Sequence, residues 1–256
     1  MSGNEKGSTD YAITNGPKSG YSLGSHDTFI LNTELQNYGD KEKYVWESIS
    51  YEIVEGSRKE YTPSKIVWLT IGKIENPSIA LCHFFNGEFP WGPTNLTGRD
   101  QPMLSRFSEH STIWRSDKDG TILQAGGHLH DGGDNVLIFQ NGEVFCDSKA
   151  KYAIGGSSHS HNHGGSSGNM AGMPGMAGMA TQKRQLKGGD YTNADIPHVT
   201  EVERCNFPQG RPLRPGDGLY IQVNYDLNAH PGVKTGNGTL DMVMGMAGVL
   251  VASKDI

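Results

Sequence analysis

With 256 residues, a net charge of −6 and a pI near 5.9, the chain can bury a sizeable core but is too acidic to track a phosphate backbone. Its basic cluster is Lys183-Arg184 with Lys187 behind it, so nucleic acid is not an expected partner. No apolar run approaches the roughly 18 residues of a bilayer span, and helical periodicity is nearly absent; the expected class is an all-β antiparallel sandwich, jelly-roll-like.

The first residues, MSGNEKGSTDYAITNGPKSGYS, are polar throughout, with no charged-then-apolar secretion signal. Residues 1–25 read as a polar flexible tail and 26–256 as a single β-sandwich domain. Either the protein is cytosolic or its natural leader is missing from this chain. Short alternating or β-branched runs, bounded by Gly, Pro, Asn and Asp, then place strands at 28–35, 44–54, 66–71, 111–115, 121–130, 136–140, 143–146, 199–205, 219–225 and 244–251. Within 44–54, Val45, Ile49, Tyr51 and Ile53 share one face.

Two glycosylation sequons, at Asn95 and Asn237, sit in Gly/Pro-flanked stretches and favour a secreted location, or one in the secretory pathway. In VLIFQNGEVFCD, Asn141-Gly142 supplies the positive φ angles of a two-residue hairpin turn. Pro215-Gly216-Asp217-Gly218 reverses the chain before another strand. Cys146 and Cys205 each end a strand-like segment, so the expected disulfide joins them and leaves Cys82 free and buried; the alternative is three reduced core thiols. Between these cysteines, residues 155–190 hold no apolar pattern and leave the sheet as a long His/Met-rich insertion. His159, His161 and His163 alternate with small polar residues, and Met170, Met173, Met176 and Met179 recur every third position, an auxiliary set of soft and borderline ligands.

The sharpest candidate site is QAGGHLHDGGDN. His128 and His130, two apart at a strand end, project from one face close enough to share an ion, and the glycine pairs on either side leave room for curvature and ligand. Imidazole alone does not choose among copper, zinc, nickel and iron. On the last strand, LDMVMGMAGVLVA, Met242, Met244 and Met246 alternate and point one way, either as a core face or as thioether ligands. Sulfur beside two imidazoles selects copper. His198 and His230 flank strands next to this site and are further ligand candidates, whereas His26, His83 and His110 have no supporting pattern. Asp131 and Asp134 are either turn residues or partners that orient the imidazoles.

HLHDGG, then DNVLIFQNGEVFCDSKAKY, HVTEVERCNF, RPGDGLYIQVNYD and VMGMAGVLVA resemble, in that order, the C-terminal domain of copper type II, ascorbate-dependent monooxygenases, known from peptidylglycine α-hydroxylating monooxygenase. They look closer still to secreted fungal proteins and plant stress-induced nodulin-like proteins that carry GHLHDGG. The likeness covers roughly residues 25 to 254 and is strongest from 120 onward. It implies copper on His128, His130 and Met244, with Met246 as the alternative sulfur, and His128 and His130 as the residues of catalysis. It also implies a departure: Asn224, in QVNYD, stands where the sister domain of those enzymes uses a histidine, so the electron-transfer half is missing from this chain.

Three functions follow. A secreted copper enzyme would oxidise a small molecule or peptide with an external reductant. A copper storage or delivery protein would use the same ligands without turnover. A redox-free enzyme of secondary metabolism, a cyclase or Diels-Alder-type pericyclic catalyst on the same sandwich, would instead line a pocket with residues such as Phe84, Phe85, Phe89, Trp91 and Trp114.

Overall fold

The computed structural model describes residues 18–28, 37, 41–46, 48–54, 58–71, 106–154, 192–234, 240 and 243–254. The strands are β1 (Ser19–Gly20), β2 (Thr62–Thr70), β3 (Arg106–His110), β4 (Trp114–Arg115), β5 (Gly120–Leu129), β6 (Gly133–Gln140), β7 (Glu143–Ile154), β8 (Pro197–Val202), β9 (Arg204–Leu213), β10 (Gly218–Asp226) and β11 (Gly245–Ala252). They form one five-stranded sheet in the order β1-β2-β11-β5-β9 and one six-stranded sheet containing β3-β10-β6-β7-β8, with β4 also on β10. All pairings are antiparallel except β1 with β2. The fold is an all-β sandwich. Among the described residues no helix is long and apolar enough to cross a membrane.

Alternation along the strands builds the core. Val67 and Leu69 of β2, Ala125 and Leu129 of β5, and Ala247, Val249 and Val251 of β11 meet Val136 and Ile138 of β6 and Leu219, Ile221 and Val223 of β10. Every second residue therefore faces the opposite sheet, and the residues between them face outward. The predicted hairpin joins β6 to β7 through Asn141 at φ 54° and Gly142 at φ 90°, the left-handed angles of a type I′ turn. Asp217 braces it, accepting from Asn141 Nδ2 at 2.7 Å while Asn141 Oδ1 accepts the Gly218 N–H at 2.8 Å.

Cys146 and Cys205 form the expected disulfide, with Cα atoms 5.8 Å apart, and it ties β7 in one sheet to β9 in the other. Cys82 lies outside the described residues. Several boundaries move. The strand expected at 199–205 is two strands separated at Glu203, β7 runs on to Ile154, and of the strand expected at 111–115 only β4 at 114–115 forms, with β3 ending just before it at His110. Ser19–Gly20, inside the stretch read as a tail, pairs with Thr62–Pro63. The larger correction concerns 44–54, whose described residues, 44–46 and 48–54, belong to no strand, with Tyr44 87%, Trp46 86% and Ile53 67% exposed. Period-2 alternation describes a chain that can be a strand; a partner edge decides whether it is one. The strand expected at 28–35 lies almost wholly outside the described residues.

Candidate metal centre

His128 and its neighbours stand on the outer face of the five-stranded sheet. A Cβ on Gly127 would come within 2.6 Å of Val136 Cγ2 in the opposite sheet, so Gly127 faces inward and His128 and Gly126 face out. The glycine is obligatory here. Its N–H donates to Ser148 Oγ at 2.8 Å, and that buried hydroxyl in turn donates to the Glu203 carbonyl, pinning the histidine-bearing strand to the sheet behind it.

The register then sets the candidate ligands side by side. Met246 is the cross-strand partner of His128, and the His130 N–H donates to the Met244 carbonyl at 3.2 Å. Directly opposed residues of an antiparallel pair share a face with Cβ atoms about 5 Å apart. Two imidazoles and two thioethers thus occupy a two-by-two patch. His128 and Met244 are half-buried, His130 is exposed, and Met246 is only 2% exposed although it lies outside the inter-sheet core. Met242 lies outside the described residues.

The histidine rings have centroids 5.4 Å apart. Two imidazoles bound to one ion at about 2.0 Å, with a roughly tetrahedral angle between them, would have centroids about 5 Å apart. The observed ring separation is close to that value. Among the described residues no group of three His, Cys, Asp or Glu side chains converges, and the further donors set beside the histidine pair are the thioethers of Met244 and Met246. That donor set suits copper better than zinc.

His198 has another role. Its Nδ1 is 2.5 Å from Asp131 Oδ2 and its Nε2 is 2.6 Å from the Asn193 carbonyl, while Asp131 Oδ1 accepts the Val199 N–H at 2.7 Å. Burial works against charge on the ring, but the hydrogen bond and charge of Asp131, with the Asn193 carbonyl, outweigh it and raise the pKa. With an oxygen acceptor at each nitrogen, neither presents a lone pair to an ion. The structure therefore puts His198 in an orienting pair with Asp131, the residue after His130. Asp131 is a turn residue that also orients an imidazole, although the imidazole is neither His128 nor His130.

His230 stacks on Tyr152, with centroids 3.8 Å apart, and sets Nε2 3.3 Å from Asp134 Oδ1. The Tyr152 hydroxyl donates to the Gly133 carbonyl at 2.7 Å and accepts the Gly132 N–H at 3.1 Å, clamping the turn that follows the histidines. No spacing in the sequence points to Tyr152 or Ser148, whose contacts join residues about 20 positions apart. Asn224 lies in the other sheet, where it accepts from Ser108 Oγ at 2.6 Å and donates to Asn135 Oδ1 at 2.7 Å. The sequons at Asn95 and Asn237, the His/Met set from His159 to Met179, and the aromatic residues Phe84, Phe85, Phe89 and Trp91 lie outside the described residues. Trp114 packs against the core.

Two curated relatives are named for copper. The chain is 22% identical over 247 residues to "Probable copper-dependent oxygenase M1" of Phoma sp., a match covering 96% of this chain and 49% of the relative. It is likewise 22% identical over 247 residues to "Probable copper-dependent oxygenase clz3" of Cochliobolus lunatus, covering 96% of this chain and 61% of that protein. The chain is distantly similar to proteins named copper-dependent oxygenases. It spans about half of one relative's length and three fifths of the other's. No protein-family model matches it, and no solved structure matches it.

Proposed function

We propose that this chain is a secreted, monooxygenase-like copper protein in which His128, His130 and a methionine sulfur, from Met246 or Met244, hold one copper on the outer face of the five-stranded sheet. The observation that carries the reading is the register placing Met246 opposite His128 and tying His130 to Met244. Copper bound there supplies one-electron redox chemistry with dioxygen. The protein's part is to fix the ligands: Ser148 holds the backbone before His128, while Asp131, clamped by His198 and Val199, holds the backbone after His130. Three protein ligands leave a coordination position open. The substrate is a small molecule or a peptide, and the electrons come from an external reductant. The disulfide between Cys146 and Cys205 supports passage through an oxidising compartment.

Copper storage or delivery is a second reading, favoured by where the His/Met-rich stretch is rooted. Ile154 and Pro197, which bracket it, pair across β7 and β8, and their neighbours Tyr152 and His198 touch residues 131–133 just after the histidines.

Electron paramagnetic resonance of the Cu(II)-loaded protein tests the site. The expected spectrum shows nitrogen hyperfine structure that is lost in His128→Ala. X-ray absorption of the Cu(I) form shows a sulfur scatterer that disappears in either Met246→Leu or Met244→Leu. A Cu(II) spectrum unchanged in His128→Ala would remove the assignment.

A further inference from the structure

One stretch of strand pattern has no sheet, and one sheet edge has no strand. The stretch is 44–54, which holds seven of the twelve large apolar side chains exposed among the described residues, Tyr44, Trp46, Ile49 and Tyr51 among them. A concentration of that kind marks a surface that meets a partner. The edge is β3, which ends the six-stranded sheet and pairs, among the described residues, with β10 alone. The Ser111 N–H donates to the Ile221 carbonyl at 3.0 Å, which fixes the phase of that ladder. Bonded residues alternate along an antiparallel pair, so Phe107 and Glu109 bond β10 while Arg106, Ser108 and His110 turn their N–H and C=O groups to the open edge. Side chains alternate in the same way: Phe107 packs against the core, and Arg106, Ser108 and His110 are exposed.

We propose that residues 48–52 of a second copy of this chain add to β3 as an antiparallel strand, and that the reciprocal exchange closes a two-fold dimer. An open edge is a template for such addition. The register follows from the side chains. Laying SISYE antiparallel to RFSEH sets Ser48 opposite His110, Ser50 opposite Ser108 and Glu52 opposite Arg106 on the outward face. On the inward face it sets Ile49 opposite Glu109 and Tyr51 opposite Phe107. Tyr51 with Phe107 is an aromatic cross-strand pair, Ser50 with Ser108 a hydroxyl pair and Glu52 with Arg106 an opposite-charge pair, the kinds of pair that stabilise a sheet. Arg106 gives its Nε to Asp226 and keeps its terminal N–H groups for Glu52. A slip of one residue would turn Ile49 and Tyr51 to solvent and the serines to the core. The parallel sense would set Glu52 beside His110 and Tyr51 beside Glu109, losing both the guanidinium pair and the aromatic one. The single chain leaves segment and edge apart, so the strand comes from another copy. Each copy offers the same strand and the same edge, which makes the contact self-complementary and closed.

Sedimentation equilibrium of the full chain is expected to show a monomer–dimer equilibrium as concentration rises. Ser50→Pro removes an N–H that bonds β3 in this register, at a position that belongs to no strand of the single chain. It should keep the melting curve and hold the protein monomeric. Disulfide trapping then identifies the two strands. A mixture of two single variants, Ser50→Cys and Ser108→Cys, oxidised with glutathione disulfide, should give a covalent dimer containing one of each. Opposed residues of a bonded pair have Cα atoms about 5.5 Å apart, within disulfide reach. A mixture that yields no such dimer, or a Ser50→Cys, Ser108→Cys double variant that closes only within one chain, would overturn the proposal. So would a chain that stays monomeric at every concentration, or a Ser50→Pro protein that dimerises like the wild type. If Ser108→Cys does not fold, Glu52→Arg decides in its place. Two like charges facing Arg106 across the dimer should raise the dissociation constant about fivefold or more, and an unchanged constant would count against the register.

Discussion

Tyr225 is 2% exposed and stacks on Phe107 at 4.7 Å, yet its hydroxyl finds no hydrogen-bond partner among the described residues. Burial pushes its ionisation up, so it stays neutral and its cost is that of an unsatisfied polar group, about 1–3 kcal/mol. Tyr225→Phe is therefore expected to leave the urea midpoint unchanged or raise it, and a loss above about 1 kcal/mol would show that the hydroxyl is bonded in solution. The His198–Asp131 pair makes a prediction of opposite character. Because the folded His198 pKa is raised, the ionic part of its contribution is fully present below the unfolded value of about 6.5 and is lost as pH rises through the folded value. Melting temperatures of wild type and His198→Gln should differ most under acidic conditions and converge at higher pH; a gap that widens with pH would contradict the pairing. At this scale the sequence was legible where chemistry repeats locally. His128 and His130 share a strand face by spacing alone, whereas Asp131 and His198 are 67 positions apart and meet only because β8 returns alongside β7.

At the level of elements, the Cys146–Cys205 bond spans a sequence separation of 59 and joins β7 to β9 across the sandwich. Closing a loop of that length removes roughly 4 kcal/mol of chain entropy from the unfolded state. A Cys146→Ser, Cys205→Ser double variant should lose a large part of this in chemical unfolding, and identical curves would show the bond to be absent in solution. The hairpin at Asn141-Gly142 was readable because two residues dictate it. The outcome at 44–54 was not, since its alternation is that of a strand and only a neighbouring edge could make it one. The break between β8 and β9 was equally hidden: Glu203 interrupts an otherwise continuous β-branched and polar run, and its N–H bonds to the Lys149 carbonyl of the other sheet.

For the whole molecule, the ladder of Ala150–Ile154 with Pro197–Val202 holds the two ends of the His/Met-rich stretch together. Closure cost grows only slowly with length, by about 0.6 kcal/mol per doubling. Deleting residues 157–180 should therefore leave the melting curve nearly unchanged while lowering the number of coppers bound per chain. Collapse of the fold would instead show that the stretch is structural. The fold class was legible because two-residue periodicity runs through most of the strands. The location of the site on the outside of a sheet was not, because it depends on which neighbour each strand acquires.

The outward positions in the five-stranded sheet include 66, 68 and 70 in β2, 124, 126 and 128 in β5, 204 and 206 in β9, and 246, 248 and 250 in β11. From Gln124 onward in β5 and on the strands facing it all are even-numbered, whereas the core positions 67, 69, 125, 129, 247 and 249 are odd; the bulge between Ile122 and Gln124 reverses this before it, where Ile122 faces the core and Leu123 packs with Leu250. Past that bulge, parity divides these strands into one register that faces the core and another that carries the candidate ligands His128 and Met246. Substitution in the even register can retune selectivity while the odd register stays untouched. Loss of a single residue from 124–127 of β5 would exchange the two, sending His128 inward and Leu129 outward. The surface is therefore open to change by replacement and closed to change by deletion.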